Sequence, residues 1–280
     1  MLLPDTLVLT PDLPRAWAGV QVWLTASGFG TPLEQQPPNL QAWVDPVFGF
    51  NVGDHVGDDP HAVTRRRAAL SRCVGAPIQW LKQVHGCEVL RACSDIGADA
   101  GADIPQADAA MTDQTDVALA IMTADCLPAV FVAVDDQGQI RAVGAAHAGW
   151  RGLHAGVLTA CATSLARLAN VSMAQVQCML GPAIGPNSFE VGQEVRQAFV
   201  GLSPALADCF KPARESGKWL GNLYALATQL LADQGVSVVA CVGGDTFTDL
   251  NWFSHRRGQQ QGVPAGRQAM VVRRLPSPFA

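Results

Sequence analysis

The residues best suited to metal chemistry in this sequence are one cysteine and two histidines, Cys126, His85 and His147. Each lies just after or near the end of an apolar run of strand length, and polar residues that follow the strands of an α/β sheet collect at one edge. One thiolate and two imidazoles suit zinc, which binds sulfur and nitrogen donors and keeps a fourth position open for water in catalytic sites. Separations of 41 and 21 residues form no local motif, so ordinary structural roles for each residue stay open.

Charged residues near these three could complete an active site. Asp125 immediately precedes the cysteine and could orient a ligand or accept a proton. Arg151 lies at the predicted N-terminus of a helix, where free N–H groups and the helix dipole favour phosphate or carboxylate. Arg256 and Arg257 could bind an oxyanion through forked hydrogen bonds, but a solvated arginine pair on a loop explains them equally well.

Apolar runs bounded by turns predict the elements that must position these residues. Predicted strands cover residues 20–24, 78–84, 88–92, 117–122, 128–134, 140–146, 176–180, 236–242 and 270–275. Predicted helices cover residues 60–73, 153–169, 192–200 and 223–234, and Asp58 or Asp59 caps the first of them. Continuous apolar strands that alternate with helices predict an α/β fold whose sheet is buried on both faces.

Composition narrows the class of protein. With 280 residues, 49% of them hydrophobic and 15% charged, the chain can form one large domain with a substantial core. A net charge of -5 and scattered basic residues predict neither a nucleic-acid surface nor a polybasic membrane patch. The N-terminus does not resemble a secretory signal and the apolar runs are shorter than a membrane span, so we expect a cytoplasmic protein. Eight cysteines without a CxxC pair predict free thiols.

Seven segments together resemble a known family. They are NVGDHVGDDP, LKQVHG, ADAAMT, TADCLPAVF, AAHAGWRGLHAGVL, LGPAIGPNSFEVG, and FSHRR followed by GRQAMVV. In this order they are similar to the YfiH family, also called the laccase-domain or multicopper polyphenol oxidoreductase family, the YfiH-like purine nucleoside phosphorylases, and peptidoglycan editing factor. The resemblance implies a layered mixed β-sheet sandwich flanked by helices. It also implies a single domain over residues 1–280, with the motifs at about 51–272.

The resemblance also implies a chemistry. Its motifs make His85, Cys126 and His147 the metal ligands, with zinc as the cofactor and copper as the alternative. It implies phosphorolysis of adenosine, inosine and methylthioadenosine, and deamination of adenosine, so the partners are a small nucleoside and phosphate. Metal-activated water suits deamination, and phosphate held by arginines suits phosphorolysis. Oligomeric state stays open.

Site roles follow from the matched motifs. The assigned catalytic residues are Asp125, Cys126 and Arg151, and the assigned substrate or phosphate contacts are Asn51, Gln83, Arg256 and Arg257. The chain departs from the family pattern at four places: Leu24-Thr25-Ala26 replaces Thr-Thr-Arg, Asn222-Leu223 replaces Asp-Leu, Cys241-Val242 replaces Cys-Thr, and Gly258 replaces an acidic residue. None of these departures falls on the metal trio, and all four fall in the peripheral segments from which phosphate or ribose contacts would come.

Three alternatives to a zinc nucleoside enzyme are consistent with the sequence. A multicopper oxidase needs a histidine-rich copper cluster that six scattered histidines cannot supply, although a single copper site could oxidise phenols. A cysteine hydrolase could use Cys126 as nucleophile and His147 as base, and could edit peptidoglycan precursors. A binding protein with a closed metal site would need a fourth protein ligand.

Overall fold

Two large β-sheets lie face to face in the computed structural model of the chain, which describes residues 3–94 and 104–276. The strands, in chain order, are β1 (Val8–Leu9), β2 (Val20–Thr25), β3 (Ile78–Gln79), β4 (Val89–Arg91), β5 (Ala109–Thr112), β6 (Ala118–Thr123), β7 (Leu127–Val134), β8 (Ile140–Ala148), β9 (Val176–Leu180), β10 (Glu190–Gly192), β11 (Phe210–Pro212), β12 (Lys218–Gly221), β13 (Ser237–Cys241) and β14 (Gln268–Arg274). The α-helices are α1 (Pro38–Gln41), α2 (Pro60–Val74), α3 (Trp150–His154), α4 (Val157–Ala169), α5 (Gln193–Leu202), α6 (Leu223–Ala232) and α7 (His255–Gln261). Short 3-10 helices cover Arg15–Trp17, Leu33–Gln35, Met173–Gln175 and Pro204–Cys209.

Both large sheets are mixed. The five-stranded sheet has the order β1-β2-β14-β6-β3, and only β3 and β6 pair in parallel. The six-stranded sheet has the order β13-β9-β7-β8-β5-β4, with parallel pairs at both edges and antiparallel pairs between them. A small antiparallel sheet, β10-β12-β11, accompanies them.

The core has three parts, because both faces of each large sheet are covered. Apolar side chains such as Val22, Ile121, Val130 and Val143 meet between the two sheets. The outer face of the six-stranded sheet packs against α4 and α6, and the outer face of the five-stranded sheet packs against α2. These layers confirm the predicted sandwich of mixed sheets flanked by helices. They also explain why strands such as β7 are almost continuously apolar.

The first long helix, α2, begins where the sequence predicts and ends one residue later. Asp59 accepts a hydrogen bond from the backbone N–H of His61 at 3.0 Å, and Pro60 occupies the first helical position. Gly75 ends the helix in the left-handed conformation at φ 72°. An N-cap of this kind stabilises a helix by about 1 kcal/mol.

Two departures from the family pattern have local explanations. Asn222 caps α6 by accepting a hydrogen bond from the N–H of Ala225 at 3.1 Å, as an aspartate there would. Gly258 lies within α7, and a Cβ there would come within 2.8 Å of the carbonyl oxygen of Val263, so the chain after α7 can pack this closely only against glycine.

Three predicted elements near the centre differ from the structure, and the ends of the other predicted elements shift by at most two residues. The predicted strand at 78–84 is wrong beyond Gln79, because the chain leaves the sheet as an irregular loop before His85. Strand β8 extends to residue 148, so His147 lies inside a strand and not after it. The predicted helix at 153–169 is two helices, because Gly156 adopts φ 92° between α3 and α4 and interrupts the helical hydrogen bonds. Within the described residues, no helix is long and apolar enough to cross a membrane.

Candidate metal centre

Two of the three predicted ligands lie where the chain passes from one large sheet to the other. His85 lies between β3 of the five-stranded sheet and β4 of the six-stranded sheet. Cys126 lies between β6 of the five-stranded sheet and β7 of the six-stranded sheet, so the chain crosses between the sheets in the same direction here. His147 is close to the end of β8 and pairs with Pro128 at the start of β7. The three side chains therefore meet at one end of the sandwich.

The three donor groups lie close enough for one metal ion. One ligand atom from each of His85, Cys126 and His147 lies within 4.8 Å of the others, and Cys126 Sγ is 3.8 Å from His85 Nε2. The imidazole rings meet edge to face, with centroids 4.7 Å apart. His147 is buried, Cys126 is half-buried and His85 is exposed, so the group opens toward solvent on one side. A centre with one open side leaves room for water or substrate.

A buried carboxylate that the sequence analysis did not assign organises this centre. Asp108 is 1% exposed, and it accepts a hydrogen bond from Nδ1 of His147 at 2.9 Å. It also accepts three backbone N–H bonds, from residues 84, 85 and 86, at 3.1, 2.9 and 2.7 Å. One carboxylate thus orients both imidazoles, by directing Nε2 of His147 toward the centre and by holding the loop that carries His85. The available signal was a lone aspartate at the start of the apolar run in ADAAMT.

The centre strongly perturbs proton affinities. Burial alone would raise the pKa of Cys126, but the nearby His147 and His85 lower it to about 6. Burial would lower the pKa of His147, but Cys126 and Asp108 raise it to about 9. Burial likewise opposes ionisation of Asp108, yet hydrogen bonds from His147 and the backbone hold its pKa below the usual value. Without a metal the group therefore favours a thiolate beside an imidazolium, and a thiolate is the form that binds zinc.

The backbone around the centre is strained and closely packed. His85 and Asp125 adopt positive φ values of 62° and 86°, conformations that cost non-glycine residues about 1–3 kcal/mol. A Cβ at Gly149 would come within 2.8 Å of the His85 ring and 2.9 Å of Cys126 Sγ. Glycine at 149 therefore keeps a small space free next to two of the donors. The space, the donor types and the oriented imidazoles together fit a bound metal.

Asp125 holds neighbouring loops in place. Its carboxylate accepts hydrogen bonds from Thr246 Oγ1 and from the backbone N–H of Arg256, each at 2.7 Å. Its carbonyl oxygen accepts the N–H of Ile184 at 2.9 Å. These bonds connect the loop that carries Cys126 to the start of α7. A proton-transfer role for Asp125 stays a prediction.

The three predicted arginines have different surroundings. Arg257 donates to the carbonyl oxygens of Thr246, Phe247 and Trp252 at 2.6, 2.9 and 2.6 Å, so its guanidinium braces the 246–252 loop. Arg256 donates one bond from Nη2, to the carbonyl oxygen of residue 190 at 3.1 Å. Arg151 is exposed and lies over the ring of its neighbour Trp150, 4.5 Å from the centroid. Contact between these arginines and phosphate is untested.

Asn51 and Gln83 use their polar atoms within the protein. Asn51 donates to the carbonyl of Gly53 and to Asp58, and it accepts the N–H groups of Gly53 and Arg267. Two donors and two acceptor sites are all that an amide side chain has. Gln83 donates to the carbonyl and accepts from the N–H of Met122, both at 2.8 Å. Asn51 therefore has no donor left for a substrate, whereas Gln83 keeps one N–H, and the substrate contacts of both residues stay predictions.

Comparison with known proteins agrees with these motifs and this fold. A family model described as multi-copper polyphenol oxidoreductase laccase matches residues 42–274. A purine nucleoside phosphorylase of Pseudomonas aeruginosa is 40% identical over 255 residues, which cover 91% of this chain and 94% of that protein. Purine nucleoside phosphorylase YfiH of Escherichia coli is 38% identical over 222 residues, which cover 78% and 84% of the two chains.

A solved structure is similar to almost the whole length of this chain. The crystal structure of a DUF152-family protein from Neisseria meningitidis has a TM-score of 0.77 and 36% sequence identity. The similarity covers 96% of this chain and 100% of that one. Because the motifs, the matched sequence and the fold extend over most of its length, this chain belongs to the YfiH family.

Proposed function

We propose that this chain is a zinc-dependent purine nucleoside phosphorylase, with His85, Cys126 and His147 holding the metal. The observation that carries the proposal is the convergence of these donors within 4.8 Å, with Asp108 fixing the inner histidine. The relatives named purine nucleoside phosphorylase supply the reaction class. We propose adenosine, inosine and methylthioadenosine as substrates, and hydrolytic deamination of adenosine as a second reaction of the same centre.

Phosphorolysis is a balanced displacement at the sugar. An oxygen of phosphate bonds to the anomeric carbon while the bond from that carbon to the purine nitrogen breaks. The electron pair leaves with the base, which takes up a proton, and the products are the free base and a sugar 1-phosphate. A bound zinc ion would supply a Lewis acid and an open position for water or substrate.

The residues of the chain position the reactants. Asp108 keeps His147 in one orientation through the 2.9 Å bond to Nδ1, and Gly149 leaves space beside Cys126 and His85. Asp125 fixes the start of α7 against the loop of the centre. Arg151, at the exposed start of α3, is proposed to approach a bound anion from solvent.

A chromatographic assay tests the proposal. Purified zinc-loaded protein is incubated with adenosine or inosine and phosphate, with and without a chelator. We expect adenine or hypoxanthine to form with phosphate present, inosine to form from adenosine even without phosphate, and chelation to abolish both. If neither a free base nor inosine forms, the proposal is wrong. If only inosine forms, the phosphorylase assignment alone fails.

The lowered pKa of Cys126 favours a second candidate function, a cysteine hydrolase that edits peptidoglycan precursors. A thiolate beside an imidazolium is the arrangement that such hydrolases use for nucleophilic attack. Chelation distinguishes the two candidates, because it should spare a thiol nucleophile. A single copper ion at the same centre, with phenol oxidation, is the third candidate, and metal analysis of protein purified without added copper tests it. The group of described residues that could hold a metal contains only two histidines, His85 and His147, which is fewer than a multicopper cluster needs.

A further inference from the structure

A cavity of about 390 Å³ contains three basic side chains that the sequence analysis did not assign. His55, His255 and Arg267 line it, together with apolar residues such as Val56 and Val263. The cavity is next to the loop of the metal centre, since its lining residue His255 precedes Arg256, whose N–H donates at 2.7 Å to Asp125, the neighbour of Cys126. Its size is within the range of sites that bind small molecules.

Arg267 has hydrogen-bond donors to spare. Its Nη1 donates to the carbonyl oxygens of Ala265 and Gly266, at 2.8 and 3.1 Å, which fixes the plane of the guanidinium. Within the described part of the chain, Nε and Nη2 have no protein acceptor, and neither is a buried, unsatisfied atom. These N–H groups are therefore available for a ligand, and a guanidinium with two such nitrogens matches the fork of an oxyanion.

A buried network fixes the backbone of this arginine. The N–H of Arg267 donates to Oδ1 of Asn51 at 2.8 Å, and Nδ2 of Asn51 donates to Asp58 at 2.9 Å. Asp58 forms a 2.6 Å ion pair with Arg66, and these two side chains are only 3% and 2% exposed. Such a buried and fully paired network holds Arg267 in one place, which preorganises a binding site.

The carboxylates near the cavity are already engaged. Asp54 pairs with His55 and with Arg67, both at 3.3 Å. The two oxygens of Asp125 accept bonds from Thr246 and from the N–H of residue 256. An anion bound in the cavity would therefore meet the basic side chains, and the negative charge of the neighbouring carboxylates is already partly compensated by their own partners.

Two of the assigned phosphate contacts, Arg257 and Asn51, have fewer free donors than Arg267. Arg257 directs three hydrogen bonds to carbonyl oxygens, and Asn51 has no donor left. We propose that this cavity is an oxyanion site, in which Arg267 binds inorganic phosphate with support from His255 and His55. The inference rests on the proposed phosphorylase function and moves its phosphate site from Arg257 to Arg267.

Three variants, Arg267→Gln, Arg267→Lys and His255→Gln, and a matched control test this site. Arg267→Gln removes the charge, and His255→Gln changes an exposed side chain that can be replaced without loss of fold. Arg141→Gln is the control, because Arg141 is 54% exposed and pairs weakly with Asp135 at 3.9 Å. Phosphate is titrated into zinc-loaded protein by calorimetry, and KM is measured separately for phosphate and for inosine.

We expect Arg267→Gln to raise both the phosphate Kd and the phosphate KM by at least about tenfold, and His255→Gln by about threefold or more. The inosine KM should change less than about threefold, Arg267→Lys should recover part of the phosphate affinity, and Arg141→Gln should match the parent protein. Thermal unfolding of each variant checks that it is folded.

Other outcomes overturn the inference. Raised inosine KM with unchanged phosphate binding would make the cavity the nucleoside site. Unchanged phosphate affinity in folded Arg267→Gln and His255→Gln, or no phosphate binding by the parent protein, would also refute the inference. The calorimetric result distinguishes the two proposals. Phosphate binding that depends on Arg267 supports the oxyanion site even if no phosphorolysis occurs. Phosphorolysis that is unchanged in Arg267→Gln refutes the oxyanion site but not the phosphorylase function.

Discussion

Two cysteines lie against the same strand, β8, and have opposite chemistry. Cys161, on α4, has its Sγ 3.9 Å from the carbonyl oxygen of Ala145, and burial raises its pKa to about 12. Cys126 lies near the end of that strand beside His147, and its pKa is lowered to about 6. Burial acts in the same direction on both thiols. Imidazoles within reach of only one sulfur make the difference.

The comparison separates packing from reactivity. In the middle of β8 a thiol fills space among apolar side chains and remains protonated, as buried cysteines commonly do. At the end of the strand, two histidines stabilise a thiolate, and Asp108 raises the pKa of one of them, His147. Reactivity here is therefore a property of the end of the sandwich and not of the residue type.

The largest expected difference is in alkylation. At pH 7 in metal-free protein, pKa values of about 6 and about 12 imply that about 90% of Cys126 and only about 0.001% of Cys161 is thiolate. Since the thiolate forms as pH rises through the pKa, iodoacetamide labelling of Cys126 should increase with a midpoint near pH 6. Peptide mass spectrometry reads each site. A midpoint for Cys126 at or above the ordinary thiol value of 9 would contradict the comparison.

Replacing each thiol in turn should separate activity from stability. Cys126→Ala should lose bound zinc and at least about a thousandfold of activity while the fold is kept, because it removes a ligand. Cys161→Ala should keep activity and lose about 1–2 kcal/mol of unfolding free energy, because it leaves a small cavity. Metal analysis, the chromatographic assay and urea unfolding measure the three quantities. Equal losses of activity in both variants would remove the distinction.

Substituting the organising carboxylate should weaken the metal centre without removing a ligand. Asp108→Asn should reduce zinc affinity by about 10–100-fold, because an amide cannot accept every hydrogen bond that the carboxylate accepts from His147 and the 84–86 loop. Competition with a chromophoric chelator measures the affinity. Asp113→Asn is the matched control, since Asp113 forms an exposed 3.3 Å pair with Arg91. Unchanged zinc affinity in Asp108→Asn would mean that the carboxylate only supports the loop.

The smallest expected effect comes from filling space at the centre. Gly149→Ala should lower activity by about tenfold, because the new methyl group would come within 2.9 Å of Cys126 Sγ and closer to the His85 ring. Gly201→Ala is the control, because a Cβ at this position in α5 meets nothing within 4 Å. The control should leave kcat unchanged and stabilise the helix by up to about 1 kcal/mol. Parallel kinetics and thermal unfolding distinguish lost activity from lost stability.

Much of the fold could be predicted from local pattern. Helix α2 and strands β7 and β9 agree with their predictions to within a residue at each end, because apolar periodicity, the Asp59 cap and Gly75 are local signals. The broken helix after β8 was missed, since an Ala- and Leu-rich run hides the positive φ of Gly156. The early end of β3 was missed because pairing partners, and not apolar character, limit a strand.

The residues of the site likewise include some that the sequence could predict and some that it could not. Cys126, His85 and His147 could be selected from residue type and from placement near strand ends, and the family motifs agree with that choice. Asp108 and Arg267 could not, because a single aspartate or arginine has no spacing that marks it. Asn51 and Arg257 bond mainly to groups of the protein itself, and the substrate roles predicted for them stay predictions.

The sequence by itself determined the donor types, the apolar strands and the family to which they belong. Only the tertiary structure decided that residues 41 and 21 positions apart would meet. They meet because the chain passes between the two sheets at both His85 and Cys126, next to the end of β8. Burial at that end then lets the imidazoles act strongly on one thiol, and Asp108 on His147, since electrostatic effects grow where water is excluded.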